Sequence, residues 1–197
     1  FAGCGGLSLG LMQAGWSGCF AIERDKFAFA TLKANLLAKR SPYKYVWPDW
    51  LPQEPIGIVE LLTNYRAKLE ELSGSIDVLV GGPPCQGFSS AGRRQHDDPR
   101  NQLFGSYLNL VDIIKPKAVL MENVRGFTLD FNAGDEIKNF SQALKAQLSD
   151  AYTVREQLLD LSIFGVPQAR TRYFVLAFRS ELNVPDAFAH LRSRLPS

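Results

Sequence analysis

The sequence predicts an α/β fold with a mostly parallel sheet and helices on both faces, and three observations carry that reading. The short apolar runs "IDVLV" (76–80), "AVLM" (118–121) and "YFVLAF" (173–178) are continuous, as in strands covered on both sides. Segments with apolar residues three and four apart separate them, which is the spacing of one helix face. Strand–helix–strand alternation of this kind implies parallel pairing through crossover helices.

In chain order, "FAGCGGLSLG" (1–10) reads as a strand end, a glycine-rich turn and a helix start. Gly3, Gly5 and Gly6 permit positive φ and let a ligand approach the backbone. Position 8 is Ser8 where the dinucleotide fingerprint requires glycine, which disfavours a nicotinamide cofactor. "CFAI" (19–22) is a weaker fourth strand, and Glu23 beyond it suits a pair of ribose hydroxyls. An ordinary tight turn followed by a surface glutamate accounts for the same residues equally well. A helix is expected over 26–36, and another from Ile58, Leu61, Leu62, Tyr65, Leu69 and Leu72. A third spans 101–114 and ends ahead of Pro116, since the residue before proline leaves the helical region. Ile137, Phe140, Leu144 and Leu148 mark a fourth.

The 197 residues suffice for one domain with a sizeable core, and 46% hydrophobic with 21% charged residues is ordinary for a globular chain. No apolar run reaches membrane-spanning length. A net charge of +2 neither demands nor excludes a nucleic-acid partner, which depends on a local basic face. Cys4, Cys19 and Cys85 are odd in number and lack metal or redox spacing, so no disulfide framework and no metal site are expected, in a reducing, intracellular setting. The chain opens at Phe1 inside a motif and is expected to be a piece of a longer polypeptide.

"GGPPCQGFSS" (81–90) places Cys85 on a turn stiffened by two prolines. Taken alone, a cysteine is most often a small buried hydrophobe. A nucleophilic thiolate instead needs a fixed, accessible sulfur with positive charge nearby, and Arg93 and Arg94 follow closely. "MENV" (121–124) puts Glu122 at the carboxyl end of an apolar strand, where a carboxylate is either paired with an arginine or functional. "PQARTRYFVLAF" (167–178) puts Arg170 and Arg172 two apart on a strand, hence on one face, where planar donors can hold a phosphate or an exocyclic oxygen.

Together and in this order, the motifs resemble those of the cytosine-5 DNA methyltransferase family. "FAGCGG" is similar to its S-adenosylmethionine turn, Glu23 to its ribose-binding acid and "PPCQGFS" to its nucleophile loop. "ENV" resembles its catalytic glutamate motif, "QARTR" its QxRxR motif and "DPRNQLF" (98–104) the segment after the catalytic loop. The resemblance implies a Rossmann-like methyltransferase fold, with 1–197 as the catalytic and cofactor-binding large domain, lacking the family's target-recognition region and closing glycine–asparagine motif.

It further implies that Cys85 attacks C6 of cytosine, Glu122 assists at N3 and the exocyclic amine, and Arg172 holds O2 with Arg170 nearer the backbone. S-adenosylmethionine is the implied cofactor, contacted by Phe1, Gly3, Gly5, Gly6, Glu23, Asp49, Pro83 and Leu103. Double-stranded DNA is the implied partner, met by Gln86, Ser89, Arg93 and Arg94 in a loop closing over a flipped base. The resemblance implies no metal, no membrane and a monomer acting in the cytoplasm, at the nucleoid in a bacterium. An RNA cytosine methyltransferase is the nearest rival; its transfer-RNA branch departs from "PPCQGFS" after the glutamine. A non-catalytic binding module is opposed by the complete Cys85, Glu122 and Arg172 set.

Overall fold

The computed structural model describes residues 1–43, 45–84, 99–133 and 136–193. Its main sheet has the order β1 (Val78–Gly81), β2 (Ala118–Val124), β6 (Thr171–Arg179), β5 (Tyr152–Asp160). β1 and β2 run parallel, with Val78 opposite Ala118 and Gly81 opposite Met121. α5 (Pro99–Ile114) lies between them in sequence, so this unit is the strand–helix–strand crossover that the alternation predicts. β6 pairs antiparallel with both β2 and β5, which makes the described sheet a mixed one. β5 and β6 follow one another with no α-helix between them, so the second returns beside the first in the opposite sense.

The apolar runs at 76–80, 118–121 and 173–178 fall on β1, β2 and β6. "CFAI" forms no ladder among the described residues. It is an extended segment tied by single bonds, Ala2 N–H to the Ile22 carbonyl at 3.0 Å and Val46 N–H to the Gly18 carbonyl at 2.7 Å. Its Ala21 and Ile22 are nonetheless buried. β5 has no apolar run to reveal it. It is an edge strand whose Arg155 and Glu156 face solvent, so its sequence lacks the continuous pattern of the inner strands.

α1 (Gly6–Gln13) follows the glycine turn, and α2 (Lys26–Leu32) is capped by Asp25, whose carboxylate accepts from the Phe27 and Ala28 amides. A π-helical turn, Lys33–Leu37, continues α2. The helix expected from Ile58 to Leu72 is two, α3 (Ile58–Asn64) and α4 (Arg66–Glu71), parted at Tyr65 with φ −123° and ψ 18°. α5 starts two residues ahead of Asn101, with Pro99 in the first turn, where its missing N–H is harmless. Beyond Ile114 the chain turns through Lys115 at φ 45°. α6 (Phe140–Leu148) is capped by Asn139. Ile137, which shares the α6 spacing, lies instead in β4 (Glu136–Lys138), paired with β3 (Phe131–Ala133). α7 (Ala187–Ser193) ends the described chain.

One apolar cluster joins these elements. Leu61 and Leu69 meet Tyr107, Val111 and Ile114 of α5, Met121 of β2, Tyr173, Val175 and Ala177 of β6, and Leu144 and Leu148 of α6. Phe104, Phe127 and Phe140 pack with ring centroids 5.5–5.6 Å apart, and Tyr173 stacks on Phe127 at 5.7 Å.

The buried Tyr173 hydroxyl donates to Glu156 on β5, and Lys145 Nζ of α6 lies 2.9 Å from the other carboxylate oxygen. Burial pushes the Glu156 carboxyl up. The hydrogen bonds from Tyr173 and Lys145, with the lysine charge, outweigh that and hold it below the usual carboxylate range. A depressed folded pKa stabilises the protein above the unfolded value, about 4.3 for glutamate, and that contribution is lost as pH falls through the folded value. Tyr173→Phe is therefore expected to destabilise the intact protein more at pH 6 than at pH 3. Urea unfolding of both proteins across that range checks it, and a gap that does not change with pH would remove Glu156 from the account.

Candidate active site

In open α/β sheets ligands bind beyond the carboxyl ends of the parallel strands; one group of candidate residues lies there, and a second surrounds the glycine turn. The first is built on β2 and β6. Val124 is paired with Arg172 across the antiparallel ladder, so the start of β6 lies beside the end of β2. Arg172 Nε is 3.0 Å from Glu122 Oε1, and Arg170 Nη2 is 4.0 Å from the same oxygen. Arg170 stands one residue ahead of β6, so only Arg172 is on the strand, yet both guanidiniums reach the same carboxylate oxygen. Arg172 Nη1 also donates to the Thr171 carbonyl at 2.8 Å. The arginine pairing and a ligand role are compatible: side-chain exposure is 29% for Glu122, 19% for Arg172 and 41% for Arg170.

The chain leaving β1 comes up against this carboxylate. A Cβ added at Gly82 would sit 3.3 Å from Glu122 Oε2 and 3.4 Å from the Glu122 carbonyl oxygen, so a larger residue would make the carboxylate give by a few tenths of an ångström. Pro83 is buried, and its carbonyl accepts from Asn123 Nδ2 at 2.9 Å. In the sequence Asn123 stands within "ENV" with no role of its own assigned; its signal is an amide side chain inside a largely buried strand. Cys85, Gln86, Ser89, Arg93 and Arg94 lie outside the described residues. Of the other cysteines, Cys4 is exposed, while burial pushes the Cys19 thiol up, against what a nucleophile requires.

The second group surrounds the glycine turn. Glu23 Oε2 accepts from the Gly3 amide at 2.8 Å and Oε1 from the Asp25 amide at 2.9 Å. Two such bonds fix the carboxylate and still leave acceptor positions for hydroxyls, since it offers about four. Gly3, at φ 57°, and Gly6 face open space, with no atom within 4 Å of an added Cβ. Phe1 and Leu103 are half-buried against the main core. Asp49 is exposed, beside a Trp50 ring 5.7 Å from Phe20. A fixed carboxylate, accessible turn backbone and half-open apolar side chains fit an adenosine-bearing cofactor.

Gly5 differs from its neighbours. At φ 87° it faces inward, and a Cβ would lie 2.8 Å from Leu36 Cδ1 and 3.2 Å from Leu32 Cγ. Gly5→Ala is expected to destabilise the intact protein by about 2–4 kcal/mol, from left-handed strain plus overpacking. An unchanged melting temperature would show that this cluster yields freely.

A cavity of about 490 Å³ runs along the outer edge of β1, bounded by Phe1, Ile22, Leu79, Gly81, Tyr107 and Ile114. Among the described residues, no group of His, Cys, Asp and Glu could hold a metal ion, and no helix is long and apolar enough to cross a membrane.

The family profile of C-5 cytosine-specific DNA methylases matches residues 1–196. Type II methyltransferase M.AgeI of Thalassovita gelatinovora is 37% identical over 176 residues, covering 89% of this chain and 37% of that protein. An E. coli protein, described as a prophage-encoded DNA modification methyltransferase, superposes with TM-score 0.69 at 29% identity, over 100% of this chain and 49% of that one. The S. pombe Dnmt2 methyltransferase shares the fold at TM-score 0.67 and 21% identity, over 100% and 55%. The chain thus spans between 37% and 55% of the length of these relatives.

Proposed function

The chain belongs to the C-5 cytosine-specific DNA methylase family, and we propose that the intact protein methylates C5 of a cytosine in double-stranded DNA. The observation that supports this most is a convergence on Glu122: Arg170 and Arg172 reach one of its carboxylate oxygens, and Gly82 at the entry of the cysteine loop lies against the other. Its relative M.AgeI is named a Type II methyltransferase, which favours a place in a restriction–modification system.

The residue types suit the chemistry. Cytosine C5 is a poor nucleophile until the Cys85 thiolate adds at C6 and turns the ring into an enamine. Charge then builds toward N3, where Glu122, having taken up a proton from solvent before the step, donates it and accepts from the exocyclic amine. Arg172, already oriented by Thr171 and Glu122, takes O2, with Arg170 nearer the DNA backbone. S-adenosylmethionine, when bound, supplies the methyl group that C5 takes up, and Glu23 with the Gly3 and Gly6 backbone holds its adenosine end. Loss of the C5 proton and elimination of the thiolate restore the aromatic ring. The target base leaves the stack for this, at a cost of a few kcal/mol offset by contacts to the duplex.

The test uses the intact protein, S-adenosylmethionine and a duplex whose one strand carries 5-fluorocytosine in place of every cytosine. Fluorine cannot leave as a proton does, so a denaturation-resistant adduct on Cys85 is expected. Mapping of the adduct to Cys4 or Cys19, or preferential reaction with the matching RNA, would overturn the reading.

A further inference from the structure

The geometry points to Asn123 as a positioning residue for the loop that carries Cys85, an inference that rests on the function proposed above. Asn123 is 5% exposed and stands opposite Tyr173 in the β2–β6 ladder. A carboxamide so placed is costly unless both its ends are satisfied. Its Nδ2 donates to the Pro83 carbonyl at 2.9 Å, and its Oδ1 accepts from the Val124 amide at 2.9 Å. These opposite uses fix which end is nitrogen and aim the donor at the loop.

Backbone pairing cannot do this work. The β1–β2 ladder ends at Gly81 opposite Met121, and Pro83 and Pro84 have no N–H to extend it. What remains beyond the ladder is a carbonyl in need of a donor, and Asn123 supplies it from 40 residues away in sequence. Proline fixes its own φ near −65°, so an anchored Pro83 carbonyl leaves few soft torsions before Cys85. Successive strand residues point to opposite faces, and here Glu122 abuts Gly82 while Asn123 grips Pro83. The catalytic carboxylate and the start of the nucleophile loop are thereby held in one register.

Asn123→Asp tests this in the intact protein, since a carboxylate of the same shape accepts and cannot donate. The readouts are the rate of the Cys85 adduct with 5-fluorocytosine DNA, cofactor affinity by calorimetry, and thermal melting. Misplacing a reacting atom by about 1 Å costs on the order of 100-fold, so adduct formation is expected to slow by about that factor. Cofactor affinity is expected to fall far less, by severalfold at most: Asn123 holds Pro83, one of the implied cofactor contacts, through its carbonyl, while the Glu23 carboxylate is fixed separately by the Gly3 and Asp25 amides. Adduct formation at the wild-type rate, or cofactor binding and melting falling together with it, would overturn the assignment. A second measurement needs no variant: the Nδ2 protons of wild-type Asn123 should exchange slowly with solvent, and rapid exchange refutes the anchor. If the wild type itself gives no adduct on Cys85, it is the proposed function that fails, and the exchange rate alone decides on Asn123.

Discussion

Cys85→Ala in the intact protein is expected to abolish methyl transfer while leaving cofactor affinity nearly unchanged. The expectation is all-or-none because the thiolate is the group that makes C5 nucleophilic, and nothing nearby in sequence replaces it. The other cysteines are poor substitutes. Cys4 belongs to the exposed glycine turn, and Cys19 lies in the half-buried segment leading to Glu23, its thiol pushed up by burial. The cofactor group around Glu23, Gly3 and Phe1 is built on other elements, so removing one sulfur from the loop leaves it intact. Tritiated-methyl transfer together with calorimetry checks both halves. Cofactor binding lost along with activity would mean that Cys85 packs rather than reacts.

Glu122→Gln is expected to slow methylation by roughly 10²–10⁴-fold, the usual worth of a positioned proton donor. The substitution is nearly isosteric and retains an oxygen able to accept from Arg172 Nε, now 3.0 Å from Oε1. The glutamine keeps Arg172 hydrogen-bonded, so exchanging the charged bond for a neutral one is expected to cost about 1 kcal/mol of stability. Melting temperature should therefore change little while the single-turnover rate collapses. Turnover at the wild-type rate would exclude Glu122 as the donor.

The parts of this fold that could be read in the sequence are those where burial is complete and local. β2 and β6 show themselves as apolar runs because both faces are covered. β5 is hidden because an edge strand displays Arg155 and Glu156 to water. The β3–β4 pair is too short to carry a period, and its presence draws Ile137 out of the helical pattern of α6. In the site, Glu122, Arg170 and Arg172 were visible as residue types at strand ends, and both arginines do lie near Glu122, although Arg170 precedes the strand. Asn123 was visible only as the middle of "ENV", and its own role stayed hidden because its partner is a carbonyl 40 residues away. Gly5 has the same cause: its inward packing depends on Leu32 and Leu36, far along the chain, and nothing nearby separates it from the open Gly3 and Gly6.

β1 has consequences for handling as well as for chemistry. It pairs with β2 on one side only among the described strands, and its other edge borders the cavity lined by Leu79 and Ile22. Val78, Leu79 and Val80 carry no charge and are only half-buried. An uncharged, incompletely covered edge is a template on which another chain can add. A polypeptide of residues 1–197 prepared by itself should accordingly be prone to sticking edge to edge as its concentration rises. Lysine at Leu79 would act as a gatekeeper there, keeping dilute and concentrated samples alike in light scattering.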